Sequence, residues 1–438
     1  MKLFALLASF ALLVAAPAAA QSLTPVERRI AAAAAAPAEH ARSVALLERL
    51  VNTNSGTLNL PGVEQVGRMM RAELEPLGFQ VRWIPQSQVQ RAGHLVATKK
   101  GSGRGRRMLL IGHLDTVFEP DSPFQQWTRR GDLVEGPGVN DMKGGMVVML
   151  QALRALHATG ALKDADVTVV LTGDEERVGR PHSISRADLI TAGRANDVAL
   201  EFESLARREG RDHGSVARRS SSGWSLRVAG KQGHSSGIFT EGAGAGAAYE
   251  LARIIDAFRR ELPEPSLTFN VGLMAAGTTA ELDPTGTALT ASGKTNVIPP
   301  VALAQGDIRT LSEDQTARVR AKMQAIVARS LPRTSAEITF TDGYPAMAPS
   351  TGSRALLAEL NGVNRDLGLP EMPELDPALR GAGDIAFVGW MPGLIGLGIY
   401  GQGAHAPGEA ADLSSIDRQA QRAALLMYRL SRTKGPRR

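Results

Sequence analysis

Imidazole and carboxylate side chains follow several apolar runs of this sequence, and they are its clearest candidates for chemistry. Met108 to Ile111 is a continuous apolar run, as a buried parallel strand requires, and His113 and Asp115 come directly after it. Two residues apart on an extended chain, these two side chains share a face. Further candidates follow two more apolar runs, Val167 to Leu171 and Val198 to Phe202, and they are Asp174, Glu175, Glu176 and Glu203.

Two glycine-rich loops add one candidate each. Asp141 lies in GPGVNDMKGG, directly before a helical run from Gly144 to Leu156. His405 lies in GQGAHAPGE, after the glycine-rich and apolar stretch from Pro392 to Tyr400, which predicts another buried strand. Open α/β sheets gather ligand-binding groups at the carboxyl ends of their strands, so we expect these side chains to converge.

A metal site is the chemistry that such a convergence indicates. Mixed histidine and carboxylate ligands suit Zn²⁺, with Co²⁺ or Mn²⁺ as substitutes, whereas Ca²⁺ and Mg²⁺ favour oxygen ligands alone. Any one of these residues alone could equally be a carboxylate in a surface turn or at a capped strand end. Such residues follow several separate apolar runs, which makes the surface-turn interpretation weaker than the metal-site interpretation.

The ordered motifs GHLDTV, GPGVNDMKGG and DEE resemble the dinuclear zinc aminoacylase and carboxypeptidase family, and most of all its glutamate carboxypeptidases. The resemblance extends over nearly the whole chain after the first turns. Its further segments are FE ending at Glu203, KQGHSS around His234, TNVIPP from Thr295, GDIR ending at Arg309, GAGD ending at Asp384, and GAHAPGE around His405.

By this resemblance, the protein binds two Zn²⁺ ions per subunit and hydrolyses an amide bond. Asp141 would bridge the two ions, with the other metal ligands in two pairs, His405 with Glu176 and His113 with Glu203. Asp115 would orient His113, and Glu175 would be the general base that passes the water's proton to the leaving nitrogen. Spacing alone does not distinguish Glu175 from Glu176; the resemblance does.

The resemblance also implies three substrate-binding residues. Arg309 and Asn296 would hold the terminal carboxylate of the substrate, for which the arginine offers a fork. His234 would reach the site from the partner subunit of a homodimer. Tyr344 stands where glutamate carboxypeptidases have a second basic residue, which predicts weaker selection for a glutamate side chain.

The order of apolar and helical runs predicts an α/β fold with two parts. Alternating strands and helices indicate a doubly wound mixed sheet as the catalytic domain, in residues 21–214 and 345–438. Residues 215–344 read as strand, helix, two strands, helix and strand, the ferredoxin-like α+β order. The resemblance implies that this insertion is a lid and dimerisation domain.

The first 20 residues predict a cleaved secretory signal. Lys2 precedes an apolar run from Leu3 to Ala15, and small residues end the segment at Ala20. We therefore expect a periplasmic or secreted protein with no stable membrane anchor. The chain of 438 residues has no cysteine. It therefore forms no disulfides in an oxidising compartment, and thiolate catalysis is excluded.

The formal net charge of +6 does not indicate a nucleic-acid partner, because the basic residues are dispersed and aromatic residues make up only 4% of the chain. Three functions remain. The first is an exported metallo-carboxypeptidase that releases a C-terminal amino acid, glutamate or similar, from a peptide or an N-acyl amino acid. The second is an N-acyl-amino-acid deacylase, similar to acetylornithine or succinyl-diaminopimelate deacylases. The third is a non-catalytic binding protein, which the complete set of candidate ligands and both glutamates argue against.

Overall fold

A mixed six-stranded sheet is the centre of the fold in residues 23–435, which the computed structural model describes; the segment predicted as a signal peptide lies outside them. The last four strands in spatial order are mutually parallel, and Arg91–Lys99 is antiparallel to both its neighbours. The predicted fold class is therefore confirmed. In spatial order the strands are Gln80–Gln86, Arg91–Lys99, Val167–Thr172, Met108–His113, Val198–Glu201 and Gly393–Ile395.

Both faces of this sheet are covered, which explains why its strands are continuous apolar runs. Leu110 and Leu200 pack into the larger core, and Leu109 and Ala199 pack into a smaller core on the opposite face. The larger core is formed with the helices Pro25–Ala34, Pro37–Val51, Leu60–Leu74, Gly144–Ala158, Thr351–Asp366 and Ser415–Leu430. The smaller core is formed with Ala187–Ala195 and the turns of Asp384–Val388.

A second, antiparallel sheet is built from the inserted segment. Its strands lie in the spatial order Thr268–Phe269, Val301–Arg309, Ser221–Gly230 and Thr334–Tyr344, and Leu273–Gly277 also pairs with Val301–Arg309. The helices Gly246–Glu261 and Glu313–Val327 share a core with this sheet. The predicted order of strand, helix, two strands, helix and strand is observed with two differences. The first of the two middle strands, expected from Leu267 to Leu273, is split into Thr268–Phe269 and Leu273–Gly277, and the hairpin of Thr279–Leu282 with Leu289–Ser292 is additional. The predicted boundaries at 214/215 and 344/345 stay predictions.

A small four-stranded antiparallel sheet carries the closing loop of the chain. Its order is Tyr400–Gln402, Ala410–Asp412, Leu133–Glu135 and Thr128–Arg130, and the loop between the first two strands contains His405. The remaining two-stranded pairs are Gly233–His234 with Val297–Ile298, Thr279–Leu282 with Leu289–Ser292, and Ala206–Arg208 with Arg211–His213. None of the helices within residues 23–435 has both the length and the apolar character needed to cross a bilayer.

Candidate metal centre

Asp141 lies between two histidine and glutamate pairs. Its Oδ1 atom is 3.1 Å from Nε2 of His113, which is 3.5 Å from Oε1 of Glu203. Its Oδ2 atom is 3.1 Å from Nε2 of His405, which is 3.1 Å from Oε2 of Glu176. The two oxygens of one carboxylate thus face two separate groups of donor atoms.

The parallel strands of the central sheet position three of these side chains. His113 is the last residue of Met108–His113, and Glu203 lies two residues beyond Val198–Glu201. Glu176 follows the neighbouring strand Val167–Thr172. Because the three strands are adjacent and parallel, their carboxyl ends bring these side chains to one edge of the sheet.

His405 reaches the same place from the hairpin of the small sheet. Gly403 and Gly408 have φ angles of 74° and 94° and allow the loop to turn tightly at both ends. His405 itself has a φ of 66°, which is strained for a residue with a Cβ atom. Such strain is typical of positions at which the surrounding structure fixes a functional side chain.

Asp115 organises the backbone that carries the two glutamates. Its carboxylate accepts hydrogen bonds from the backbone N–H groups of Glu175 and Glu176, at 3.0 and 3.1 Å, and from the Thr57 hydroxyl at 2.6 Å. Burial raises the pKa of Asp115, but hydrogen bonding to His113 and the positive charge of the imidazole outweigh it, so the pKa lies below its ordinary value. The Nδ1 atom of His113 lies 3.0 Å from the backbone oxygen of Asp115 and 3.5 Å from its carboxylate.

Two further buried residues hold the candidate ligands in place, and sequence analysis did not identify either. Arg218 donates to Glu201 at 2.7 Å, and its Nη2 atom lies 3.5 Å from Glu203. Glu409 accepts hydrogen bonds from the backbone N–H groups of Gly138, Asn140 and Asp141. Arg218 lies in the polar run ARRSSSG, which reads as a surface segment; Glu409 could have been found from its place four residues after His405.

The donor set fits divalent cations. Donor atoms of His113, Asp141 and Glu176 all lie within 4.8 Å of one another, and two imidazoles among carboxylates are the ligands that Zn²⁺ prefers. Burial and the charge of Asp141 raise the pKa of Glu176 to about 7. Its buried Oε1 atom has no hydrogen-bond partner, so a cation would both satisfy this oxygen and offset the crowded negative charge.

Glu175 lies beside this cluster, but its side chain makes no hydrogen bond or ion pair with the candidate ligands. Its side chain makes no hydrogen bond to any residue between 23 and 435, while its backbone oxygen accepts from the Tyr344 hydroxyl at 2.6 Å. Tyr344 also accepts from Arg186 at 3.0 Å, so its hydroxyl is already paired within the protein. Burial raises the pKa of Glu175 well above its ordinary value, although the charge of His113 opposes this.

The predicted substrate-binding residues lie in the inserted segment and form two groups, Arg309 in the second sheet and the other two at the separate strand pair Gly233–His234 with Val297–Ile298. His234 and Asn296 are together, since the N–H group of Ser235 donates to the backbone oxygen of Asn296 at 2.9 Å. Arg309 is partly exposed and lies 3.2 Å from Asp307. Within the described chain, no hydrogen bond or ion pair joins any of the three to the five candidate metal ligands.

A family model describing peptidase family M20/M25/M40 matches residues 109–429, a range that contains the whole candidate metal centre. The chain belongs to this family. It is therefore a metallopeptidase or related amidohydrolase, and its candidate metal centre agrees with the dinuclear metal binding of M20 peptidases.

Relatives of this M20 chain include two kinds of enzyme. The chain is 28% identical over 405 residues to carboxypeptidase G2 of Pseudomonas sp. (strain RS-16), covering 90% of this chain and 91% of that protein. It is 32% identical over 204 residues to the succinyl-diaminopimelate desuccinylase of Novosphingobium aromaticivorans, covering 44% of this chain and 51% of that enzyme.

Solved structures show the same M20 fold at lower identity. A tripeptidase from Staphylococcus aureus superposes with a TM-score of 0.69 at 16% identity, covering 90% of this chain and 99% of the other. A dinuclear metal-binding M20 peptidase from Bacillus subtilis superposes with a TM-score of 0.63 at 16% identity, covering 90% and 99%. Similarity to these structures confirms the fold of the chain.

Proposed function

We propose that this protein is an exported, dinuclear zinc exopeptidase that releases a C-terminal amino acid from a peptide or an N-acyl amino acid. One observation carries the proposal: each carboxylate oxygen of Asp141 faces its own histidine and glutamate pair. Asp141 and the two pairs together are five donor residues, which is more than the four ligands that one tetrahedral Zn²⁺ ion uses. The likeness to carboxypeptidase G2 over 90% of the chain supports a C-terminal amino acid as the product.

The protein's own residues would prepare the reaction at this centre. His113 with Glu203, His405 with Glu176, and the shared Asp141 would hold two Zn²⁺ ions, which would supply Lewis acidity at the scissile carbonyl and lower the pKa of water. Glu409 fixes the Asp141 loop through three backbone N–H groups.

Glu175 is suited to carry the proton. Its carboxylate has no hydrogen-bond partner among residues 23–435, so it is free to accept the proton of the attacking water. Burial raises its pKa well above the ordinary value, which makes its carboxylate a stronger proton acceptor than an exposed glutamate. The same group would then donate the proton to the leaving amine. Its backbone is held by Asp115 and Tyr344, which fixes the side chain beside the ligands.

Substrate recognition in this proposal uses the inserted domain. Arg309 would bind the terminal carboxylate of the substrate, because its planar fork suits a carboxylate. Asn296 would assist it, and His234 would act in the active site of the partner subunit. The inserted domain would serve as the lid and as the interface of a homodimer, and the predicted signal would direct the protein to the periplasm or the medium.

An N-acyl-amino-acid deacylase is the second candidate, and the similarity to succinyl-diaminopimelate desuccinylases favours it. Both candidate enzymes hydrolyse an amide bond. They differ in which of the two products their substrate-binding residues recognise. The match to another desuccinylase covers 93% of that enzyme at 24% identity, and the match to carboxypeptidase G2 covers 91% at 28% identity. The higher identity over a similar length supports the carboxypeptidase as the first candidate.

A hydrolysis screen of the zinc-loaded protein separates these functions. Its substrates are dipeptides, N-acetyl amino acids and N-succinyl diamino acids, with metal content measured by elemental analysis on the same sample. We expect two metal ions per chain and the highest kcat/KM on substrates with a free terminal carboxylate. One metal ion or fewer in fully active protein would contradict the dinuclear centre, and equal rates on C-terminal amides would contradict carboxylate recognition.

A further inference from the structure

A fully buried arginine lies beside the loop that carries Glu175 and Glu176, and the reaction described above makes no use of it. Arg186 has no exposed surface, and its guanidinium lies 2.5 Å from Asp174 and 2.8 Å from Asp384, two carboxylates that are also buried. A buried ion cluster seldom stabilises a fold more than apolar packing would, but it can fix the orientation of the groups that it contacts.

All five N–H groups of Arg186 are used. Its Nε atom donates to Asp384 at 2.8 Å, and its Nη1 atom donates to the Asp174 carboxylate at 2.5 Å and to the backbone oxygen of Ser185 at 3.1 Å. Its Nη2 atom donates to the backbone oxygen of Asp174 at 3.2 Å and to the Tyr344 hydroxyl at 3.0 Å. A lysine offers at most three donors from one point, so this arrangement requires the planar guanidinium.

The bonds of this arginine fix three points of the loop that follows Val167–Thr172. Asp384 accepts a hydrogen bond from the Thr172 hydroxyl, at the start of the loop. Asp174 is held by its carboxylate and by its backbone oxygen. The Tyr344 hydroxyl donates in turn to the backbone oxygen of Glu175 at 2.6 Å. The arginine therefore holds the loop directly at one point and through one intermediate residue at the other two.

The backbone of Glu175 is bonded on both sides as a result. Its N–H group and that of Glu176 donate to Asp115, and its backbone oxygen accepts from Tyr344. The Glu175 carboxylate itself has no hydrogen-bond partner among residues 23–435. A side chain without such a bond takes its position from the backbone that carries it, so these contacts decide where the carboxylate lies.

We propose that Arg186 and the Tyr344 hydroxyl are positioning groups for proton transfer, which hold the backbone of Glu175 so that its carboxylate stays beside the candidate metal ligands. This inference rests on the proposed function, in which Glu175 is the general base. Both groups act through Glu175 and transfer no proton themselves. Because the Tyr344 hydroxyl is bonded to two partners within the protein, its removal should change turnover and leave substrate affinity as it is.

Tyr344→Phe removes this link and keeps the ring, whose centroid lies 5.3 Å from that of Phe387. On the best substrate of the hydrolysis screen, we expect kcat to fall by about ten- to a hundredfold, because small displacements of a catalytic group have effects of this size. KM should stay within about twofold of wild type, and zinc content should not change. The control is Tyr428→Phe, which removes the hydroxyl of a half-buried tyrosine in the last helix and should keep wild-type kcat.

A double variant shows whether Tyr344 acts through Glu175. Adding Tyr344→Phe to Glu175→Gln should change the residual kcat by less than about threefold, because the group that the tyrosine positions is already lost. A loss as large in the double variant as in Tyr344→Phe alone would overturn the inference, and so would an increase in KM that accounts for the whole effect.

Arg186→Lys tests the arginine itself, since it keeps the charge and loses the five-donor fork. It should lower kcat at least as much as Tyr344→Phe, with KM again within about twofold of wild type. Tm is measured for every variant. If Arg186→Lys does not fold, Tyr344→Phe and the double variant decide the question.

Hydrogen exchange of the metal-free protein tests the positioning apart from catalysis. The amides of Glu175 and Glu176 should exchange about fivefold faster in Tyr344→Phe than in wild type or Tyr428→Phe, because one hydrogen bond that fixes their loop is lost. Faster exchange in a protein that hydrolyses none of the screened substrates would support the anchoring of the loop and refute the proposed function. Unchanged exchange, or unchanged kcat where wild type is active, would overturn the inference and leave the proposed function standing.

Discussion

At the scale of single residues, the carboxylates of the candidate metal centre differ in whether they contact a histidine side chain. Asp141 shares its two oxygens between His113 and His405, and Glu176 lies 3.1 Å from His405. Glu175, the next residue along the chain, has a carboxylate without such a contact in the described structure. This difference agrees with the proposed roles of the two residues, metal binding by Glu176 and proton transfer by Glu175.

Replacing Glu175 with glutamine tests this division. Glu175→Gln preserves shape and removes the proton acceptor, so we expect kcat to fall by about 10²- to 10⁴-fold with metal content unchanged. Asp141→Asn should instead lose metal, because it removes the shared charge. Elemental analysis and steady-state kinetics measure both effects. Near-wild-type kcat in Glu175→Gln would identify Glu176 or another neighbour as the base.

Residue types and spacing predicted the five candidate ligands as a group, since each lies after a buried strand or in a glycine-rich loop. Their division into two pairs came from the family resemblance, and the geometry of Asp141 agrees with it. Arg218 was not predictable in this way. Besides Glu201 it bonds to the backbone oxygens of Gly381 and Ala382, which lie more than 160 residues away in sequence. Local sequence carries no signal for such contacts.

At the scale of elements, helix starts show which sequence signals specify local structure. The order Thr24-Pro25-Val26-Glu27 in the sequence predicts a capping box, and Thr24 and Glu27 form it at the start of Pro25–Ala34. The order Ser414-Ser415-Ile416-Asp417 in the sequence predicts that Ser414 caps the last helix. This prediction is wrong, because the Ser414 hydroxyl donates to Asp412 and its backbone is already helical. The helix Ser415–Leu430 forms regardless, since its apolar side is buried in the larger core.

The two caps give a matched pair of substitutions. Thr24→Ala should lower the free energy of unfolding by about 1 kcal/mol, whereas Ser414→Ala should change it by less than about 0.5 kcal/mol. Urea unfolding of both variants and wild type, followed by circular dichroism, measures the difference. A larger effect at Ser414 than at Thr24 would show that the last helix depends on its first turn after all.

At the scale of the whole molecule, Asp212 ties the segment between the two sheets to the last helix. It lies 2.7 Å from Arg422 and 2.8 Å from Arg207, and its side chain is 13% exposed. Burial raises the pKa of Asp212, but the hydrogen bonds from the two arginines outweigh it and hold the pKa below its ordinary value. The carboxylate form is therefore the one that stabilises the fold.

The depressed pKa of Asp212 predicts the direction in which stability changes with pH. A group whose pKa is depressed on folding contributes stability above its unfolded pKa and loses it as pH falls through its folded pKa. Asp212→Asn should be less stable than wild type at pH 7 by about 2 kcal/mol, and the gap should narrow below about pH 4. Tm values of both proteins between pH 3 and 8, in the same metal-free buffer, measure the gap. A constant gap would mean that lost packing, and not charge, explains the effect.

The position of His234 raises the question of a second subunit. Its side chain is exposed and bonded to Ser236 at 2.8 Å, and within residues 23–435 it has no contact with the candidate metal ligands. If His234 acts at that centre, either a neighbouring chain supplies it or the inserted domain moves to bring it there. This agrees with the homodimer that the family resemblance implies, which stays a prediction.

Subunit mixing can decide whether His234 acts in the partner's site. His234→Ala and Glu175→Gln should each be inactive as homodimers, but a heterodimer contains one site with both residues intact. Random exchange of equal amounts gives heterodimers in half of the molecules, so about a quarter of wild-type activity should return if the dimer is symmetric. The control pairs His234→Ala with an Asp141→Asn,His234→Ala double variant, which has no intact His234 to contribute. Exchange is verified by mass spectrometry of differently tagged subunits. If exchange is complete and the first mixture stays as inactive as the control, His234 acts within its own chain, and the inserted domain would have to move to bring it to Asp141.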